Sequence, residues 1–196
     1  INLYGATKLA SDKLFTASNA YSGEHGTRFS VVRYGNVLGS RGSIIPLFTE
    51  LKSVGKLPIT DKRMTRFFIT LDEAVETVEL AFHKMVGSEI FVKKIPSIKI
   101  IDIANAIAPG CKIDEIGMRP GEKLHEQLIS ADESPYTYEF EEYFKILSPL
   151  NEWDVSVKRT RGGKKVEEGF TYTSNKNEVW LKNKELANWL RAFEKK

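Results

Sequence analysis

The chain has 196 residues, with 29 basic against 26 acidic side chains and a formal net charge of +3, so bulk electrostatics gives no case for a nucleic-acid partner. Its one cysteine, Cys111, excludes an internal disulfide and a multi-cysteine zinc site, and suits a reducing compartment. No apolar run approaches the roughly 20 residues that span a bilayer, and no signal-peptide pattern opens the chain, so the expectation is a cytoplasmic protein with no membrane partner.

In chain order, Ala6, Leu9, Ala10, Leu14 and Ala17 recur at three- and four-residue steps and predict a helix with one buried stripe, ending near SGEHG. TRFSVVRYGNV (27–37) is rich in β-branched and aromatic residues and reads as a strand stopped by GSRG. A helix around SIIPLFTELKSVG, an extended LPITD and a strand TRFFI follow. Thr70 and Glu73 then have capping-box spacing, opening a helix whose buried face is Val75, Val78, Phe82 and Met85. Strand 89–94, helix 97–108 and strand 111–117 continue an alternation that predicts an α/β protein with helices on a largely parallel sheet. Past 135 the composition turns aromatic and acidic, with a soft boundary near 149. A last helix places Leu186, Trp189, Leu190 and Phe193 on one face. The basic run VKRTRGGKK (157–165) lies among glycines and reads as a solvated hairpin or loop.

Three motifs carry chemistry. Tyr4 and Lys8, four apart on a helix, lie one turn from each other, and an ammonium beside a phenol favours the phenolate and hence general-base strength near neutrality. On spacing alone, such a pair is also what chance puts on many helices. In VVRYGNVLGSRGSIIPLF an apolar strand runs through Asn36 into Gly39, Ser40, Arg41 and Gly42 and then a new helix, collecting backbone amides where parallel sheets bind ligands. An ordinary strand-to-helix turn has the same pattern. In GMRPGEKLHEQLIS (117–130), Arg119 has the fork to grip a diphosphate and Glu122 can accept from ribose hydroxyls, although a structural arginine–glutamate pair fits as well.

Taken in order, NLYGATKLASDKLF, RYGNVLGSRGSIIPLF, LPITDKRMTRFFITLDEAV and RPGEKLHEQLIS resemble the extended short-chain dehydrogenase/reductase family. Within it they are most similar to the UDP-N-acetylglucosamine 4,6-dehydratases that invert C5 at the start of pseudaminic acid synthesis. The resemblance covers about residues 1–150, and YTSNKNEVWL fits the same group's C-terminus.

It implies a Rossmann-type fold with a smaller substrate-binding subdomain. Residues 1–149 would be part of the Rossmann half plus the nucleotide-sugar subdomain, and 150–196 a C-terminal appendage. It implies Tyr4 and Lys8 as the catalytic pair, with both also touching NADP. Val37, Leu38, Gly39, Ser40 and Arg41 would line that cofactor, and Asn36, Ile44, Thr60, Arg119 and Glu122 would contact UDP-N-acetylglucosamine. A homo-oligomer is expected, and no metal.

The family's glycine-rich cofactor loop and its Ser-Thr-Asp-Lys stretch before the tyrosine do not occur in these residues. The expectation is therefore a C-terminal piece of the enzyme, inactive alone. A UDP-sugar 4-epimerase, or a noncatalytic nucleotide-sugar-binding or oligomerisation module, are the alternatives. His25 reads as a solvated turn residue, His83 as a helix-surface residue and His125 as a member of the Arg119 motif without a ligand role. Cys111 reads as a small buried group, and Trp153, Trp180 and Trp189 as core or interface anchors.

Overall fold

The computed structural model describes residues 2–22, 26–40, 42–149 and 157–194. Arg41, His25 and Trp153 lie outside the described residues, as does the side chain of Phe193. The elements begin with α1 (Leu3–Ser18), β1 (Val31–Arg33), β2 (Asn36–Val37), α2 (Ile44–Leu51), β3 (Lys56–Ile59) and β4 (Thr65–Ile69). Then come α3 (Leu71–Lys84), β5 (Ile90–Lys93), β6 (Ser97–Lys99), α4 (Ile100–Ile107) and β7 (Lys112–Glu115). The chain continues through β8 (Gln127–Ile129), β9 (Thr137–Glu139), β10 (Tyr143–Ile146), α5 (Val157–Thr160), β11 (Lys164–Lys165), β12 (Tyr172–Thr173) and α6 (Asn183–Glu194). They fall into two compact units. The first takes Ile1–Tyr34, Asp72–Lys94 and Gln127–Tyr172, and the second takes Gly35–Leu71, Ile95–Glu126 and Thr173–Lys196.

The first unit is built on a five-stranded sheet in the order β1-β5-β10-β9-β11. β1 and β5 are parallel, whereas β10 is antiparallel to β5 and to β9, the latter because a three-residue turn at 140–142 can only return the chain antiparallel. The second unit has a three-stranded sheet β2-β4-β6 and a parallel pair β3-β7. Its core joins Ile45 and Phe48 of α2, Leu57 and Ile59 of β3, Phe68 of β4, Ile103 and Ala104 of α4, and Leu186 and Leu190 of α6. Burying each large side chain stabilises this unit by roughly 1.5–3 kcal/mol. The final helix therefore uses the face expected of it, with Trp189 partly buried against the same cluster.

Four expectations need correction. The sheets are mixed rather than largely parallel: β2 with β4 is parallel but β4 with β6 is antiparallel. The single strand over 27–37 is two short strands in different sheets, divided at Gly35. A Cβ there would lie 2.4 Å from the carbonyl oxygen of Phe67, so only glycine permits this approach. The helix expected from 97 starts at Ile100, because Ser97 is drawn into backbone pairing: its N–H donates to Val179 O and its carbonyl accepts from Leu181 N.

The fourth correction concerns which faces are buried. α1 packs by Asp12 and Thr16, while Leu9 and Leu14 of its apolar stripe are exposed. The docked face is held by hydrogen bonds: Arg33 to Asp12, Ser88 Oγ to Thr16 O at 2.9 Å, and the Asn19 amide to both backbone groups of Phe29. α3 likewise buries Ala74, Thr77 and Ala81, and leaves Val75, Val78 and Phe82 outward, with Phe82 68% exposed and Met85 half-buried. Small side chains let α3 sit close to its unit, and the bulky stripe is left facing solvent.

Candidate functional site

In the first unit, Asn2 caps α1 by accepting the Gly5 N–H at 2.7 Å, which fixes the turn that carries Tyr4. Tyr4 is 72% exposed, and the Lys8 ammonium lies over its ring, 5.4 Å from the centroid. Among the described residues of this unit none forms an ion pair with the Lys8 ammonium. Two turns on, Asp12 anchors the same helix face. Arg33 donates from Nε to Asp12 Oδ2 at 2.7 Å, from Nη2 and Nη1 to the two Glu133 oxygens at 2.8 and 3.0 Å, and from Nη1 to Leu128 O at 2.9 Å. Burial alone would lift the Glu133 pKa, but the Arg33 hydrogen bond and the Ser130 N–H bring it below the ordinary value. Sequence reading missed this anchor; its one signal is an arginine ending an apolar strand.

In the second unit, Asn36 and Val37 pair with Phe68 and Ile69, and the Leu38 N–H donates to Ile69 O at 2.8 Å. The chain then turns tightly, Ser40 N–H to Val37 O and Ser43 N–H to Ser40 O, through Gly39 at φ 72°. Gly42, at φ 71°, has open space where a Cβ would project. The buried Ser43 Oγ has no partner among the described residues although it occupies the N-cap of α2. A left-handed turn, an open glycine and an unpaired hydroxyl at a strand's carboxyl end suit the polar groups of a dinucleotide. Ile44, the first residue of α2, packs half-buried against the core.

Thr60 and Arg119 leave the carboxyl ends of the parallel strands β3 and β7, where the Ile116 N–H donates to Ile59 O at 2.9 Å. Loops at that edge of parallel strands are ligand-binding positions in α/β folds. Arg119 is exposed, and Glu122 folds back to accept the Arg119 N–H at 2.9 Å, leaving the guanidinium outward. Beside Thr60, Arg63 donates from its N–H, Nε and Nη2 to Asp61 and pulls that carboxyl down to about 2.

Arg66 is the second residue that sequence reading missed, although an arginine inside the apolar strand TRFFI is a visible signal. It donates to the carbonyls of Thr65, Leu124 and Lys123 and pairs with Glu126 at 3.3 Å, tying β4 to the 119–126 segment. Burial lowers its pKa, with Glu126 and Glu122 opposing. His125 accordingly lies within the motif's hydrogen-bond network, and His83 is exposed as expected. Cys111 is half-buried against the second core. Among the described residues no group of histidine, cysteine or acidic side chains could hold a metal.

An α/β chain with a Tyr-x-x-x-Lys helix in one unit, and a strand-end glycine turn and an arginine-bearing loop in the other, has the fold of a Rossmann-type extended short-chain dehydrogenase/reductase. Residues 1–148 match the family model described as "Polysaccharide biosynthesis protein", and the chain belongs to that family. It is 52% identical to a UDP-N-acetylglucosamine 4,6-dehydratase (inverting) from Campylobacter jejuni over 95% of its own length and 58% of that protein's. A UDP-glucose 4-epimerase from Rickettsia canadensis is 35% identical over 89% of the chain and 53% of that protein. The X-ray structure of Pen from Bacillus thuringiensis superposes with a TM-score of 0.83 at 36% identity, covering 98% of this chain and 57% of Pen. The chain thus spans somewhat more than half the length of these relatives.

Proposed function

We propose that the protein to which these residues belong is an NADP-dependent UDP-N-acetylglucosamine 4,6-dehydratase that inverts C5. The observation carrying this is the 52% identity, over 95% of the chain, to an enzyme of that name. A phenol and an ammonium together on an exposed face of the first helix support this reading.

Tyr4, as phenolate, takes the proton of the sugar's C4 hydroxyl, and the Lys8 ammonium steadies the phenolate's negative charge before the transfer. A bound nicotinamide dinucleotide would supply the hydride chemistry, as hydride acceptor at C4 and donor at C6. The resulting 4-keto group acidifies C5–H, so loss of that proton and of the C6 hydroxyl eliminates water. Protonation of C5 on the opposite face, with reduction at C6, would complete the turnover. Val37, Leu38, Gly39, Ser40 and Arg41 would hold the dinucleotide, with Asn36 and Ile44 against the sugar, Thr60 beside them, and Arg119 and Glu122 on the diphosphate and ribose. The enzyme would serve pseudaminic acid or related surface-glycan synthesis as a cytoplasmic homo-oligomer. No helix among the described residues is long and apolar enough to cross a membrane, which is compatible with that setting.

In the full-length enzyme, Tyr4→Phe is expected to lower turnover at least about a hundredfold, the lower scale for a positioned acid/base. NMR of the wild-type product identifies the reaction. A 4-keto-6-deoxy sugar inverted at C5 supports the proposal, and a C4 epimer with an intact C6 hydroxyl replaces it with the epimerase reading that the second relative favours.

A further inference from the structure

The second unit contains a relay of three side chains that the reaction above does not use. Thr65 Oγ1 lies 2.7 Å from His125 Nδ1 and 2.7 Å from Ser174 Oγ. Ser174 is fully buried, accepts the Glu126 N–H at 2.9 Å, and stands 3.2 Å from the Thr65 carbonyl. Each hydroxyl has one proton to give. The Ser174 proton has a nearer acceptor in Thr65 Oγ1 than in the Thr65 carbonyl, and once it points there the Thr65 proton can go only to His125 Nδ1. That order, Glu126 N–H to Ser174 to Thr65 to His125, puts the imidazole proton on Nε2.

The surroundings keep the ring neutral. Burial lowers the His125 pKa, Arg66 and Arg63 lower it further, and Asp61 opposes them. The result is an uncharged N–H donor on the same segment as Arg119 and Glu122. Beside the Arg66 and Arg63 guanidinium groups, a neutral donor adds a hydrogen bond to an anion without a further like-charge repulsion.

We propose that His125 is a further substrate-contacting residue, a neutral Nε2–H donor to a diphosphate oxygen of the bound nucleotide, with Thr65 and Ser174 as the positioning residues that fix its tautomer. This rests on the nucleotide-sugar reading of the site. The fixed tautomer also explains why a serine from the C-terminal segment is buried at the foot of the loop: it supplies the first hydroxyl of the relay.

The test joins two measurements on the full-length protein. Nitrogen-15 NMR of labelled histidine at pH 7.5 is expected to show His125 as the Nε2–H tautomer in the wild type, and a mixture in Thr65→Val. Calorimetric titration with UDP is expected to show His125→Gln, whose amide can donate from the Nε2 position, binding within about threefold of wild type. His125→Leu should bind roughly tenfold or more weakly, the scale of a lost hydrogen bond to a charged group. A wild-type Nδ1–H tautomer, or equal UDP affinity in the Gln and Leu variants, overturns the assignment while leaving the nucleotide site intact. Failure of the folded wild type to bind UDP removes the nucleotide reading and this assignment together. The NMR result needs no variant, so a substitution that fails to fold does not shield the claim.

Discussion

Replacing Arg33 by methionine tests the anchor beneath the Tyr4 helix. The guanidinium donates four hydrogen bonds of 2.7–3.0 Å to Asp12, Glu133 and Leu128, and the side chains of Asp12 and Glu133 keep only 10% and 16% of their surface exposed. Removing one partner of a buried ion pair costs about 3–5 kcal/mol, because the other charge stays buried without compensation. With both carboxylates at the edge of solvent, the lower end applies, about 3 kcal/mol. Urea denaturation with a slope of about 2 kcal/mol/M should then show the midpoint falling by roughly 1.5 M. The deficit must also depend on pH. In the wild type, Glu133 sits below its ordinary 4.5, so its contribution is complete above that value and is lost as pH falls through the lower folded value. In the variant the lowering bond is gone and burial lifts the same carboxyl, so protonation on going from pH 7 to pH 4 relieves the strain. The gap between the two proteins should therefore narrow over that interval. A gap below about 1 kcal/mol at pH 7, or one unchanged at pH 4, would refute the placement of Arg33 as the charge that holds α1.

Gly35→Ala drives a Cβ into the Phe67 backbone, and should cost about 1–3 kcal/mol with altered amide shifts at Asn36 and Val37; an unshifted spectrum would show the approach to be loose. Glu89, fully buried, accepts the Val86 N–H at 3.0 Å and the Gly87 N–H at 2.7 Å, and lies 3.5 Å from Arg159. Glu89→Gln sets an amide N–H₂ against donors it cannot satisfy and should lower stability by about 2–3 kcal/mol in thermal melts followed by circular dichroism, whereas an unchanged melting temperature would mean the site relaxes freely.

Element existence was readable from local pattern, and element placement was not. TRFFI, EIFVK and the helices at 3–18, 44–51 and 71–84 announce themselves by period and composition. The break at Gly35 was hidden, since nothing local in RYGN says that Phe67 will press against it. The buried faces of α1 and α3 depart from their apolar stripes for one reason. An apolar stripe says what a helix can bury, whereas burial in this structure follows hydrogen bonds to Asp12 and Thr16, and the small size of Ala74, Thr77 and Ala81. The motif residues were legible through resemblance, but Arg33 and Arg66 were not, because their partners lie 21 to 100 residues away in sequence and no spacing rule reaches that far.

The outward stripe of α3 has a colloidal consequence. Leu71, Val75, Val78 and Phe82 are each about half exposed or more, and recur every third or fourth residue along one side of the helix. A net charge of +3 on 196 residues offers little long-range repulsion to keep such surfaces apart, and physiological salt screens what there is within about 8 Å. Contact between apolar surfaces is thus expected to outweigh charge in the solution behaviour of this chain. Added sulfate should drive its molecules together well before the fold itself is strained.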